Sequence, residues 1–94
     1  MKRNFNLDKL LSFDFNQSDL TPKRIKDIRK IYKVTQVAFA ELIMVRYETY
    51  RSWEEGRRVP SSPGYAILSI AEQYPDIFLK NRDQIVRKLK NSSF

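Results

Sequence analysis

Apolar residues along the chain recur three and four positions apart, and no stretch alternates convincingly at period two, so the pattern predicts helices throughout. In "LTPKRIKDIRKIYK" the apolar side is Ile25, Ile28, Ile31 and Tyr32; Thr21 is placed to cap this helix and Pro22 fits its first turn. "TQVAFAELIMV" reads as a short second helix, capped by Thr35 and carrying Val37, Phe39, Ala40, Leu42 and Ile43. A turn of about three residues leaves room for a third helix, "YETYRSWEE", with Tyr50 and Trp53 on one side. That helix stops at Gly56, a residue able to take the left-handed conformation that ends helices. "PSSPGY" is a loop feeding a fourth helix: Ser61 or Ser62 caps it, Pro63 enters it, and Ile67, Ile70, Ala71 and Tyr74 line one side. Pro75 breaks the pattern, and "DIFLKNRDQIVRKLK" resumes it with Phe78, Ile85 and Leu89. The chain reads as all-α, with five helices, short joints and no internal repeat.

Composition narrows the chemistry. Ninety-four residues make one domain, and a 41% hydrophobic share with 13% aromatics is enough for a single core. The chain has no cysteine and no histidine, which removes thiol nucleophiles, disulfides, thiolate zinc sites and histidine acid–base chemistry. No metal, cofactor or enzymatic activity is expected. Glu54 and Glu55 imitate a catalytic carboxylate pair only superficially, because adjacent helical residues point in different directions. The longest apolar run, "VAFAELIMV", is broken by Glu41 and is far short of the roughly 20 residues of a membrane span. Asp8 and Asp14 interrupt the N-terminal stretch where a signal peptide would be apolar. No membrane association is expected, and a cytoplasmic location is the default.

Charge points to a partner. The net charge of +7 is concentrated mid-chain: residues 21–60 hold ten basic groups against five acidic ones, whereas residues 1–20 balance at zero. A positive field placed this way suits a polyanion, although a basic stretch can also be an ordinary solvated helix face.

Two short helices joined by a tight turn, with basic flanks and a sharp glycine stop, form a helix-turn-helix pattern. Close crossing of the two helices needs a small residue in the first, and Ala40 supplies it. Val45, Tyr50 and Trp53 take the inward positions. The outer side of the second helix is left with Arg46, Tyr47, Glu48, Arg51 and Ser52, side chains able to hydrogen-bond base edges or phosphates in a major groove. Tyr50 and Trp53 could also be imagined as stacking platforms for single strands. Their spacing on the apolar side favours core packing.

"TQVAFAELIMVRYETYRSWEEGRRVPSSP" resembles the Xre/Cro-type helix-turn-helix, in the version found in HigA-type antitoxins and in the DNA-binding half of MqsA-type antitoxins. The resemblance spans about residues 21–79. It implies a lambda-repressor-like fold, a homodimer, double-stranded operator DNA and, for an antitoxin, a cognate toxin protein. It divides the chain into an N-terminal amphipathic segment (1–20), a DNA-binding domain (21–79) and a C-terminal helix and tail (80–94). By position it implies that Arg46, Tyr47, Glu48 and Arg51 read bases. Thr35, Gln36, Thr49, Arg57 and Arg58 fall where the family touches phosphate, and Arg29 and Glu54 fall where it places a structural ion pair. Two positions depart from the family. Met44 stands where a glycine is common, at a cost of roughly 1 kcal/mol if it is held left-handed. Arg46 stands where a serine cap is common and cannot accept the free amide hydrogens, which Glu48 offsets in part through the helix dipole.

The N-terminal "FNLDKLLSFDFN" carries Phe5, Leu7, Leu10, Leu11, Phe13 and Phe15, enough apolar surface to complete the domain's own core or to dock on a partner. The expectation is a sequence-specific DNA-binding repressor, the antitoxin of a type II toxin–antitoxin pair that autoregulates its operon. A stand-alone phage-type repressor without a toxin, or a toxin-binding interaction module, stands beside it.

Overall fold

A computed structural model describes residues 20–91. Residues 1–19 of the amphipathic segment read at 1–20, and the last three residues of the chain, lie outside that range. The described residues form five helices and no strand: α1 (Pro22–Tyr32), α2 (Gln36–Leu42), α3 (Tyr47–Glu54), α4 (Ser62–Gln73) and α5 (Asp76–Asn91). Among the described residues, no helix is long and apolar enough to cross a membrane.

The helix starts follow the capping signals. Thr21 Oγ1 accepts from Arg24 N (3.2 Å) and Thr35 Oγ1 accepts from Ala38 N (3.1 Å), each satisfying an amide that has no partner inside its helix. Of the two candidate serines, Ser61 caps α4, with Pro63 in the first turn. α1 ends on Lys33 in the left-handed conformation (φ 56°), its N–H bonded to Lys30 O. No glycine marks that end. The turn between α2 and α3 occupies residues 43–46, one more than its expected length.

The core is continuous through the first four helices. Ile25, Ile28 and Tyr32 of α1 meet Phe39, Ala40 and Leu42 of α2, Tyr50 and Trp53 of α3, and Tyr65, Leu68 and Ala71 of α4, with Leu20 at the chain's entry. Four aromatic rings run through it: Tyr32 to Phe39 at 5.2 Å between centroids, Phe39 to Tyr50 at 5.3 Å, and Tyr50 to Trp53 at 6.0 Å, the last two edge-on. Tyr32 donates to Ala71 O (2.7 Å), and burial pushes its hydroxyl pKa up to about 12.

Three features of the apolar pattern differ from the sequence reading. Ile31 is 42% exposed, because Ile25, Ile28 and Tyr32 already define the buried stripe and Ile31 lies at its edge. Val37, in the first turn of α2, is 44% exposed. Phe78, Ile85 and Leu89 keep helical spacing, but none is fully buried, and α5 as a whole has no buried residue. It is held beside α2 and the end of α1 by Phe78 and Ile85, which pack against the core, and by polar contacts: Arg82 Nε donates to Tyr32 O (2.5 Å) at the end of α1, and Lys88 Nζ pairs with Glu41 of α2 (2.6 Å).

Candidate nucleic-acid interface

The turn into α3 departs from ordinary backbone at one residue. Met44 has φ 62° and its side chain is 91% exposed, a left-handed placement that glycine would take without strain. Arg46 then occupies the N-cap position with extended backbone and no side-chain capping bond. Glu48, in the first turn, is the sole acidic group there to meet the positive end of the helix.

The inner side of α3 is fixed by a cluster around one carboxylate. Glu54, 3% exposed, accepts from Arg29 Nε (2.7 Å) and Nη2 (3.2 Å), from Gln36 Nε2 (2.8 Å) and from the Tyr50 hydroxyl. Burial by itself would push the Glu54 pKa up. The bonds from Arg29, Tyr50 and Gln36 outweigh it and hold the carboxyl below its ordinary value. The Glu54 bond in turn raises the Arg29 pKa, and burial, with the acceptor Glu54 next to it, raises that of Tyr50. Arg29 Nη1 also donates to Val34 O (2.9 Å), so one guanidinium joins α1, the α1–α2 joint and α3. Arg29 and Gln36 reach this carboxylate from α1 and α2, while Tyr50 donates from α3 itself, and the first two set α3 at a fixed angle on α1 and α2.

The far end of α3 is shaped by two glycines. Gly56 takes φ 76°, and Arg57 N and Arg58 N then turn back onto Ser52 O at 3.0 and 3.3 Å. Gly64, in the first turn of α4, lies so close to the indole that a Cβ there would stand 2.7 Å from Trp53 Cζ2 and Cη2. Trp53 is seated in that gap as a core residue, 3% exposed.

What faces outward is mainly basic, with the exposed Glu48 and Glu55 among the arginines. Arg46 at the N-cap of α3 and Arg51 on the helix are exposed, and Arg57 and Arg58 are exposed in the loop behind it. Tyr47 is half-buried and packed against the core, and Thr49 is half-buried. Thr35 and Gln36 lie at the start of α2, where the Thr35 hydroxyl caps the helix and one amide hydrogen of Gln36 is committed to Glu54. Ser52, expected on the outer side, is instead buried, and its hydroxyl donates to Thr49 O (2.6 Å). It serves as an internal tie that the three-residue spacing from Thr49 permits.

One role on this surface was not read from the sequence. Glu55 accepts from Arg51 Nε and from Arg57 Nε, both at 2.7 Å, and those two guanidinium groups hold its carboxyl below the ordinary range. The four-residue spacing from Arg51 was the available signal.

Residues 25–63, which contain α2, the turn and α3, match the family model described as helix-turn-helix. That segment carries the helix-turn-helix. The all-α, five-helix arrangement around it is lambda-repressor-like. Among curated proteins the chain is similar to antitoxin HigA-2 of Vibrio cholerae serotype O1, with 27% identity over 63 residues. The match covers 67% of this chain and 61% of that protein. No solved structure matches.

Proposed function

We propose that the protein is a sequence-specific transcriptional repressor that binds operator DNA as a homodimer. It further acts as the antitoxin of a type II toxin–antitoxin pair that autoregulates its operon in the cytoplasm. The observation that carries the DNA half is the division of α3. Glu54, Tyr50 and Trp53 on its inner side are locked into the scaffold, while Arg46 and Arg51 remain exposed on its outer side. A rigid helix presenting exposed arginines is what a major groove accepts, with the arginine fork matched to guanine O6 and N7.

In this reading Arg46, Tyr47, Glu48 and Arg51 address bases, Tyr47 through its hydroxyl because its ring is docked. Thr35, Gln36, Thr49, Arg57 and Arg58 address phosphates, which fix register without carrying sequence information. Glu55 holds Arg51 and Arg57 in the free protein and gives them up to DNA. The antitoxin half is supported by the similarity to antitoxin HigA-2, and its partner is a cognate toxin protein. The deciding experiment is co-purification of the full chain from its native operon, combined with footprinting on the DNA upstream. Protection of a two-fold repeat together with a stoichiometric neighbour-encoded protein is the expected result. Protection without such a protein identifies a stand-alone repressor, and no protection overturns the DNA half.

A further inference from the structure

Five acidic groups fall within the basic middle of the chain, residues 21–60. Four of them hold a cation: Asp27 pairs with Lys23, Glu41 with Lys88, Glu54 with Arg29, and Glu55 with both Arg51 and Arg57. The fifth, Glu48, forms no ion pair and no side-chain hydrogen bond among the described residues. It is exposed in the first turn of α3, with Arg46 at the N-cap before it and Arg51 three residues on. Arg51 is within helical reach of Glu48, yet its Nε goes to Glu55. Glu48 therefore keeps its acceptor capacity unused beside the two arginines that α3 turns outward.

We propose that Glu48 selects cytosine, so that each operator half-site carries a C·G pair opposite the first turn of α3, its cytosine N4 amino group donating to the Glu48 carboxylate. This selection rests on the DNA-binding reading above and adds to it the identity of a base. A carboxylate only accepts hydrogen bonds, so it needs a donor in the groove. Guanine presents N7 and O6 and thymine presents O4, all acceptors that repel it. Adenine presents the N6 amino group with the N7 acceptor beside it, whereas the edge of cytosine next to N4 is a C–H. The carboxylate also repels the flanking phosphates, which penalises every duplex that lacks the matching amino group. Glu48 thereby supplies discrimination where Arg46 and Arg51 supply attraction. Its charge meets the positive end of α3 as well, but a partner of the helix dipole has no base preference.

The test is selection of bound duplexes from a randomised pool by the full chain as wild type, Glu48→Gln and Glu48→Ala, with melting temperatures recorded alongside. The wild type should enrich a two-fold motif with one position per half-site fixed as cytosine, and replacing that pair should weaken its binding by about ten-fold or more. Glu48→Gln should move the same position to adenine, whose N6 and N7 a side-chain amide meets together. Glu48→Ala should accept all four bases there and keep the rest of the motif. Three results would overturn the proposal. A motif enriched by the wild type and unchanged in both variants, with only their melting temperatures lowered, leaves Glu48 a partner of the helix dipole alone. Guanine, thymine or adenine fixed by the wild type at the position the variants alter shows that the carboxylate does not select cytosine. No motif from the wild type removes base reading itself, and the selection of cytosine falls with it.

Discussion

Arg29 of α1 grips Glu54 of α3 with two nitrogens, Nε at 2.7 Å and Nη2 at 3.2 Å, across 25 residues of sequence. The Glu54 side chain is 1% exposed and that of Arg29 is 20% exposed, so this pair is shielded from the solvent that makes surface bridges weak. Breaking it by Glu54→Ala leaves Arg29, Gln36 and Tyr50 without their acceptor and should cost about 3–5 kcal/mol. Urea unfolding measures it. An unchanged midpoint would show that the cluster does not set the position of α3.

The same carboxylate gives a pH signature. Its pKa is depressed in the folded state from an ordinary 4.5, so its contribution is fully present above that value and is lost as pH falls through the folded pKa. Melting temperatures recorded from pH 7 to 3 should fall more steeply for the wild type than for Glu54→Gln, the two curves converging at low pH. Parallel curves would contradict the assignment.

Gly64 and Trp53 share a space with no room for a methyl group. Gly64→Ala places a Cβ 2.7 Å from two indole carbons, and both are ring atoms that cannot fold away. Overpacking of this kind should cost about 1–3 kcal/mol, with a shift in the emission of Trp53, the single tryptophan of the chain. Equal stability and an unchanged spectrum would mean that α4 moves freely off α3.

The turn into α3 is less stable than it needs to be. Met44→Gly should relieve the left-handed strain and raise stability by about 0.5–1 kcal/mol. Arg46→Ser should add a capping oxygen worth about 1 kcal/mol and at the same time weaken operator binding. Thermal melts and gel shifts on the same two variants separate these effects. A stabilised Arg46→Ser that binds as tightly as the wild type would remove Arg46 from the set of base readers.

Two helix starts were legible because they are written locally, as Thr21 before Pro22 and Thr35 before Gln36, whereas the fourth start was narrowed only to Ser61 or Ser62. The inner side of α3 was legible too, through Tyr50 and Trp53. What stayed hidden depends on partners distant in sequence. Nothing near Gly64 announces Trp53, and nothing near Lys33 announces a left-handed cap. Ser52 looked polar and outward because a serine's spacing does not reveal whether it bonds back to its own helix. Glu55 was passed over as half of an apparent acid pair, and its role as a shared acceptor for Arg51 and Arg57 became visible only with both guanidinium groups in place.

That shared acceptor makes a prediction of its own. Glu55→Gln should free Arg51 and Arg57 and remove a negative charge from the DNA side. Affinity for operator and random duplexes should rise by about two- to ten-fold, with the salt slope little changed because the phosphates contacted stay the same. A loss of affinity for both would show that Glu55 positions the arginines rather than restraining them.

The central claim, that α3 reads sequence while its flanking loop grips the backbone, is tested most directly by Arg51→Ala and Arg57→Ala on a panel of single-base operator variants. Arg51→Ala should weaken operator binding by about ten- to a hundred-fold and erase the preference at one base pair in each half-site. Arg57→Ala should weaken operator and random DNA by the same factor and lower the salt slope by roughly 1. If Arg51→Ala keeps the wild-type preference at every position, Arg51 is not a reader and the face of α3 assigned to the major groove is the wrong one.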